Sequence, residues 1–528
     1  MKEQDKTYRW VALSVILIGT FMSVLSSSLI NLALPKMMSV FGVSLSDITW
    51  IVTAYMLAMG SVVPITGFLS DTIGLKKLYI ISLILFTSGS ALSGLAWSNG
   101  VMIFFRIIQA IGGGLMSPVG MSVVYEIFPI EERGKALGIW GIAALAAPAL
   151  GPPLGGYILS SLSWRLLFYI NVPIGIIGIF FAIFLLKEMP KKGYEGNFDI
   201  IGFISVVAGI ACTLYVVGNW SKIEWNQMQY PILLAIGVFN LILFVANELT
   251  HPNPLLDLRI LKIYSYSLSQ IIVGVLSLAM LGGSYVLPLY LQSIKGLTAM
   301  QSGLIILPFA LAAAVTMPIS GALFDRMGAK IVAIPGLILL LWASYQLTSL
   351  TPDTPNMTII IISMMRGVGI GLAMMPINTS GMNAVPQEKV ARASALTNTL
   401  RNILTSISMA FISTMVSTAT NSNFARLAEQ INPANQTAMD AVRQLSGLFM
   451  QSGLTSTEAQ ASAYSTLAGL IQKQAYLDAL NYANEVMVLA AVVAVPLALF
   501  MRSGKKGRKR RNKEVNHGGV QELSAAIE

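Results

Sequence analysis

The stretch Gly67-Phe-Leu-Ser-Asp71-Thr-Ile-Gly74-Leu-Lys76 returns as Gly321-Ala-Leu-Phe-Asp325-Arg-Met-Gly328-Ala-Lys330, with every matching position offset by 254 residues. Each copy follows one long apolar run and precedes another, and each places two glycines, one acid and one lysine at the same spacing. Glycine allows a tight turn and a close approach of helices. An acid at a helix end beside lysines, here Lys76 and Lys77 or Arg326 and Lys330, can form a charge lock that breaks and re-forms. A basic loop that only set topology would not need the same spacing twice. Two parallel copies of one helical unit are a transporter architecture.

The composition around this repeat is that of a membrane chain. Of 528 residues, 55% are hydrophobic and 11% charged, against about 25% charged in soluble domains. The mean hydropathy is +0.70. A net charge of +10 could suggest nucleic acid, but so little charged surface excludes a soluble nucleic-acid binder. Half of that excess lies in the basic stretch Arg502–Glu528, which reads as a topology determinant resting on anionic lipid. One cysteine, Cys212, and two histidines, His251 and His517, leave no disulfide framework, metal site or cofactor to expect. They also fail to supply an enzyme's cluster of nucleophile and base, so no catalytic role is expected.

Fourteen apolar stretches are long enough to span: 10–33, 46–69, 78–97, 100–124, 135–159, 164–186, 199–219, 228–248, 266–292, 301–324, 331–350, 357–380, 394–418 and 478–501. Backbone groups in lipid must be satisfied within the segment, so each stretch is a helix. The first run is too long for a signal peptide and lacks a cleavage site. With both termini cytoplasmic, the inner segments hold 24 of the 34 lysines and arginines and the outer segments seven, which is the orientation that basic residues favour. The expected fold is thus an all-α polytopic protein of two six-helix bundles, spans 1–6 and 9–14, with spans 7 and 8 inserted. The units are residues 1–190, 191–262 and 263–501, followed by the tail 502–528. The long outer loop 419–477 carries Ala438, Ala441, Val442, Leu445, Leu448 and Phe449 at helical spacing, and Thr455 with Glu458 as a capping box. Two short surface helices are expected there.

Further motifs lie inside the spans. Arg106-Ile-Ile-Gln109-Ala-Ile-Gly112-Gly113-Gly114 puts a charge where insertion costs at least ~2.5 kcal/mol, so Arg106 should face the bundle interior and find a partner. Arg366 and Arg401 are the other embedded arginines. Gly138-x8-Ala147-x3-Gly151-Pro152-x2-Gly155-Gly156 offers a seam where two helix backbones can touch. Trp164-Arg165-x2-Phe168-x-Ile170-Asn171-x-Pro173-x-Gly175 opens the sixth span.

These motifs, with the repeated loop, resemble the major facilitator superfamily, and more narrowly its fourteen-helix drug:proton antiporter branch, the EmrB/QacA type. The resemblance covers nearly the whole chain and is weakest in 419–477 and the tail. It implies a secondary exporter of amphiphilic drugs or toxic compounds in the cell membrane, exchanging substrate for protons by alternating access. It also implies contact with membrane lipids, and a periplasmic adaptor where the cell has two membranes. No Gly-x4-Gly-Lys-Ser/Thr occurs, which agrees with an ion gradient as energy source. By resemblance, Gly151, Pro152, Gly155 and Gly156 form the antiporter seam between the halves, with Ala147 where glycine is usual. Ser26, Asn31, Tyr55, Gln109, Asn171, Asn378 and Arg401 are the cavity candidates. The branch usually has an aspartate where this chain has Ser26, and serine cannot carry a proton in the relevant range. The coupling candidates are therefore Arg106, Asp71 and Glu485, the last being the one acid expected inside a span. Scarce embedded acids favour neutral, zwitterionic or anionic amphiphiles over purely cationic ones. The alternative is an exporter or facilitator of an endogenous metabolite or lipid-like molecule without proton coupling.

Overall fold

The computed structural model describes residues 2–189, 198–218, 227–252, 254–431 and 435–501. The tail 502–528, the joints 190–197 and 219–226, and the side chains of Asn31 and Pro152 lie outside the described residues.

The first set comprises α1 (Lys2–Phe41), α2 (Leu45–Val62), α3 (Thr66–Ile73), α4 (Leu75–Leu95), α5 (Asn99–Ile127), α6 (Arg133–Ser161), α7 (Leu166–Tyr169) and α8 (Asn171–Leu185). The inserted pair is α9 (Ile200–Gly218) and α10 (Gln229–Thr250). The second set comprises α11 (Tyr264–Leu281), α12 (Leu287–Leu289), α13 (Ala299–Met327), α14 (Ala329–Tyr345), α15 (Asn356–Met382), α16 (Val390–Ala428), α17 (Gln436–Gln451) and α18 (Ser456–Leu499). Among the described residues, thirteen helices, counting α2–α3, α7–α8 and α11–α12 as one each, are long and apolar enough to cross a membrane. α6, 29 residues long, packs lengthwise between α1 and α13 and corresponds to the expected fifth span. We call the face that holds the start of α1, the turns at Gly74 and Gly328 and the start of α16 the terminal face.

Several boundaries follow from local chemistry. Ser98 caps α5 through the Val101 N–H, and Thr298 with Gln301 closes a capping box on α13. Gly74 (φ +89°) and Gly328 (φ +88°) make the turns after α3 and α13, so both copies of the repeat use glycine where a side chain would be strained. The ninth span is regular only to Leu281; π-turns at Gly282–Val286 and Tyr290–Ile294 interrupt it.

The expected loop 419–477 is largely helix. α16 continues to Ala428, and α18 starts at Ser456, 44 residues long. At 1.5 Å per residue α18 extends roughly 66 Å, against an apolar membrane core of about 30 Å. The Thr455–Glu458 capping box therefore opens the last span itself, and α17 is the only separate short helix there among the described residues. The amphipathic spacing was sound, but periodicity cannot tell a helix that stops from one that runs on into an apolar stretch.

The apolar core is shared unevenly. On the terminal face one cluster joins both halves, with Tyr79, Phe128 and Trp140 beside Tyr266, Met317, Met375 and Leu396. Toward the opposite face the clusters separate: Leu25, Ile51 and Trp164 belong to one, Leu291, Leu347 and Leu480 to another. The tightest crossing is α6 on α13. A Cβ at Gly321 would lie 1.9 Å from the Gly134 carbonyl oxygen, and one at Gly138 would lie 2.5 Å from the Met317 carbonyl oxygen.

Gly321→Ala should therefore push two backbones apart and cost about 1–3 kcal/mol, seen as a lowered Tm by tryptophan fluorescence of the purified protein in detergent. Gly447→Ala, where nothing lies within 4 Å, should leave Tm unchanged or slightly higher.

Candidate functional site

The two copies of the repeated motif land on the same place in opposite halves. α3 brings Asp71 to the start of α16, where Arg392 Nε lies 3.2 Å from its carboxylate. α13 brings Asp325 to the start of α6, where it accepts the Lys135 backbone N–H at 3.3 Å. A negative charge at a helix N-terminus is favourable in itself. Gly67 is needed beside the first pair, since a Cβ there would meet Arg392 Cγ at 3.2 Å. The expected partners of Asp71, Lys76 and Lys77, are placed otherwise: Lys76 donates to the Ile183 carbonyl at 2.9 Å within the first half, and Lys77 is exposed. The lock crosses between halves because lysines just past a left-handed turn project away from the preceding helix. Arg326 is exposed and Lys330 half-buried.

More polar contacts close the same face. Buried Arg133 donates to the Tyr125 carbonyl at 2.6 Å, to Gln387 Oε1 at 2.9 Å and to Asn383 Oδ1 at 3.3 Å. Gln387 donates back to the Tyr125 carbonyl and to Glu126. Toward mid-membrane, Ser394 donates to the Pro118 carbonyl at 2.9 Å and Ser117 to Asn398 Oδ1 at 3.2 Å. Arg401 joins this seam through Asn398 at 2.7 Å, which makes it a support of the α5–α16 contact. Sequence reading did not single out Arg392, Asn383 or Gln387. One signal was present: Glu132-Arg133-x-Lys135 and Glu388-Lys389-x2-Arg392 open the fifth span of each set.

Arg106 is fully buried among α1, α2, α4, α5 and α7. Its Nη1 donates to Gln109 Oε1 at 2.6 Å and to Ser26 Oγ at 3.4 Å. Gln109 donates in turn to Ser26 at 3.1 Å and to Ser90 at 2.6 Å. The guanidinium lies 3.9 Å from the Tyr55 ring centre and 5.8 Å from that of Phe168, contacts that favour a desolvated cation. Nε and Nη2 have no hydrogen-bond partner. Ser26, Tyr55 and Gln109 thus come together around Arg106, as hydroxyl, ring and amide, with no carboxylate among these contacts. Asn171 is buried and donates only weakly, to the Leu167 carbonyl at 3.5 Å. Asn378 is buried in α15, in the other half. Arg366 donates to the Ala279 carbonyl at 3.0 Å and lies against Gly282 and Gly283 in the first π-turn.

One expectation is corrected. Gly151 does not face the other half: a Cβ there would lie 2.2 Å from Ser28 Oγ of α1. The cross-half seam of α6 is instead Gly134, Gly138 and Gly141, with Gly156 near Met300 of α13. Helical spacing alone leaves the facing partner undetermined. Gly155 is buried in the same turn as Gly151. Glu485 lies on the surface of α18, while its neighbour Asn484 is buried and donates to the Leu347 carbonyl.

A groove of about 830 Å³ lies between the later turns of α16, the start of the last span in α18 and Val217 of α9. Phe411, Met415 and Tyr482 line it, with Asp478 and Arg426 as its charged residues.

A family model for the Major Facilitator Superfamily matches residues 16–409. The chain is 36% identical over 521 residues to the uncharacterized MFS-type transporter YhcA of Bacillus subtilis strain 168, covering 97% of this chain and 96% of that protein. It is 29% identical over 492 residues to the multidrug export protein EmrB of Escherichia coli K12, covering 92% and 93%. The crystal structure of the human organic anion transporter MFSD10 (TETRAN) superposes with a TM-score of 0.59 at 13% identity, covering 92% of this chain and 99% of that one; at that identity the likeness concerns the fold.

Gln109→Leu should leave Ser90, Ser26 and Arg106 Nη1 short of partners and cost about 1–3 kcal/mol. Gln109→Glu, which keeps an acceptor for Arg106, should lose less. The fraction of monodisperse protein surviving a heating step on size-exclusion chromatography checks the order.

Proposed function

The chain belongs to the Major Facilitator Superfamily, and on that premise we propose that it is a secondary active exporter of amphiphilic compounds that exchanges them for protons by alternating access. The observation that carries this reading is the uneven core. The halves are fused by one apolar cluster and by cross-half charges on the terminal face, and they hold separate clusters toward the other face. A molecule held shut at one side by breakable polar contacts, around a fixed α6–α13 crossing, is suited to rocking.

In this reading the terminal face is cytoplasmic, on the strength of its lysines and arginines. Residues 1–190 and 263–501 are the moving units, and 191–262 joins them. The substrate enters from the cytoplasm or inner leaflet, binds between the halves near mid-membrane, and leaves to the outside. Asp71 is the proton-linked group we favour: a proton arriving from the outer side removes its charge from Arg392 and loosens the closed face, and its release to the cytoplasm from the opened face restores the pair and completes the exchange. Arg106, with Ser26 and Gln109, keeps an uncompensated positive centre in the first half, which favours neutral, zwitterionic or anionic amphiphiles. Lipids of the cell membrane surround the spans. A periplasmic adaptor fits the projecting α17–α18 region where a second membrane exists.

A second reading has one observation in its favour. Ser26 stands against Arg106 where relatives of the antiporter branch usually have an aspartate, so an uncoupled facilitator of a metabolite or lipid-like molecule is the alternative.

Purified protein in sealed vesicles containing a pH-sensitive dye separates them, with a panel of cationic, neutral and anionic amphiphiles added across an imposed proton gradient. Proton release on adding an anionic or zwitterionic compound, lost in Asp71→Asn, is the expected outcome. Ser26→Asp should raise the protons moved per substrate, since it gives Arg106 a titratable neighbour. Substrate movement without proton flux overturns antiport and selects the facilitator.

A further inference from the structure

The inserted pair α9–α10 is more than a connection between the halves. α9 lies along α2, with Tyr215 stacked on Trp50 at 5.5 Å, and Phe198 just before α9 packs on Phe68 of α3 at 4.8 Å between ring centres. Its other side packs on α16. Where α9 begins, α10 ends and the chain turns toward the second half, three acids are buried: Asp199, Glu248 and Asp257.

Each of these acids holds backbone. Asp199 accepts the Gly202 N–H at 2.8 Å and Asn247 Nδ2 at 2.6 Å, which ties α9 to α10. Glu248, fully buried, accepts the N–H groups of Leu255 and Leu256 at 3.2 and 3.1 Å, folding the following turn back onto α10. Arg259 donates to the Leu249 carbonyl at 3.1 Å and fastens the same turn from the other end. Asp257, fixed by the Arg259 N–H at 3.2 Å, then reaches across to Lys389 Nζ at 2.6 Å. Lys389 stands one helical turn before Arg392, the partner of Asp71. The turn also touches the first half, since a Cβ on Gly67 would lie 3.5 Å from the Leu255 carbonyl. Leu256 and Ile260 share the terminal-face core with Val390, Ala393 and Leu396.

We propose that the inserted pair is a strap across the closed face, and that Asp257–Lys389 is its clasp, a third cross-link beside Asp71–Arg392 and Asp325 at the start of α6. Its geometry assigns Asp199 and Glu248 a positioning role: they hold Asp257 at a fixed place relative to α10. The strap sits on α2 and α3 through rings, and on α16 through apolar contacts and one ion pair; the ion pair is the charged, half-exposed part of that contact, and the part a change of charge can release. Lys389 is about half exposed and Asp257 nearly buried, at 46% and 5%, so the bond is breakable rather than permanent. The inserted pair thereby sets how readily the terminal face opens. This inference rests on the alternating-access reading above.

Electron paramagnetic resonance distances test it on the full chain in lipid nanodiscs. Spin labels go on Thr72→Cys and Met327→Cys, exposed positions on the terminal face in opposite halves, in a Cys212→Ser background. Lys389→Glu should raise the long-distance population about two- to five-fold, and Asp257→Asn should do the same while keeping an acceptor for the Arg259 N–H. Lys389→Arg should leave the distribution as it was. If Asp71→Asn lengthens the distance but neither Lys389→Glu nor Asp257→Asn does, the clasp is overturned and the alternating-access reading stands. If no substitution, no change of bath pH and no member of the anionic, neutral and cationic amphiphile panel changes the distance, alternating access fails and the strap falls with it.

Discussion

The architecture depends on the backbone contact between α6 and α13. At Gly134 against Gly321 the two helices come so close that no side chain fits between them. In a membrane, where lipid is as apolar as leucine, such van der Waals contact between small residues is a main source of helix association. The contact continues through Gly138 and Gly141, which meet Met317 and Pro318. Everything else between the halves is arranged around this line. Asp325, carried on α13, reaches the start of α6 because the helices are already touching, and the pseudo-equivalent Asp71 reaches the start of α16 by the same arrangement in the other half.

The charges divide into two kinds. Those on the terminal face are near water, cross between the halves and can be broken at modest cost. Arg106 and Arg366, in mid-membrane, are buried within a half and do not cross, while Arg401 supports the α5–α16 seam through Asn398. Arg106 and Arg366 illustrate the second kind: one is held by hydroxyls, an amide and an aromatic face, the other by a carbonyl beside two glycines in a π-turn. A buried charge without a carboxylate is expensive, and each site retains guanidinium nitrogens with no bond. Irregular helix at Gly282–Gly283 is where the second set departs from the first, and π-turns of this kind are frequent at functional sites.

Much of the fold was legible because the membrane leaves few options. Apolar length gave fourteen spans, the even count put both ends on one face, and the repeated Gly-x3-Asp-x2-Gly-x-Lys motif divided them into two sets with a pair inserted. The site was legible in part. Arg106, Gln109, Ser26 and Tyr55 were identified as separate motif residues on three helices, and the fold brings them into contact. Asp71 was identified as half of a charge lock, but its partner was sought among the nearest lysines. Gly151 was misplaced for the same reason: helical periodicity fixes which residues share a face, not what that face meets. The region 419–477 was recognised as amphipathic helix, but its fusion to the last span was not, since a capping box marks where a helix begins and says nothing of where it ends.

The sequence by itself determined the number of spans, the two-fold plan and the identity of the charged residues, because burial in lipid is a property of each segment alone. The tertiary structure decided which charges meet. Arg392 lies 321 positions from Asp71, and Lys389 lies 132 from Asp257, so no local pattern links them. Their pairing is a consequence of how two helical bundles cross at glycine, and of an inserted hairpin whose place beside α2 and α16 is fixed by packing rather than by any motif of its own.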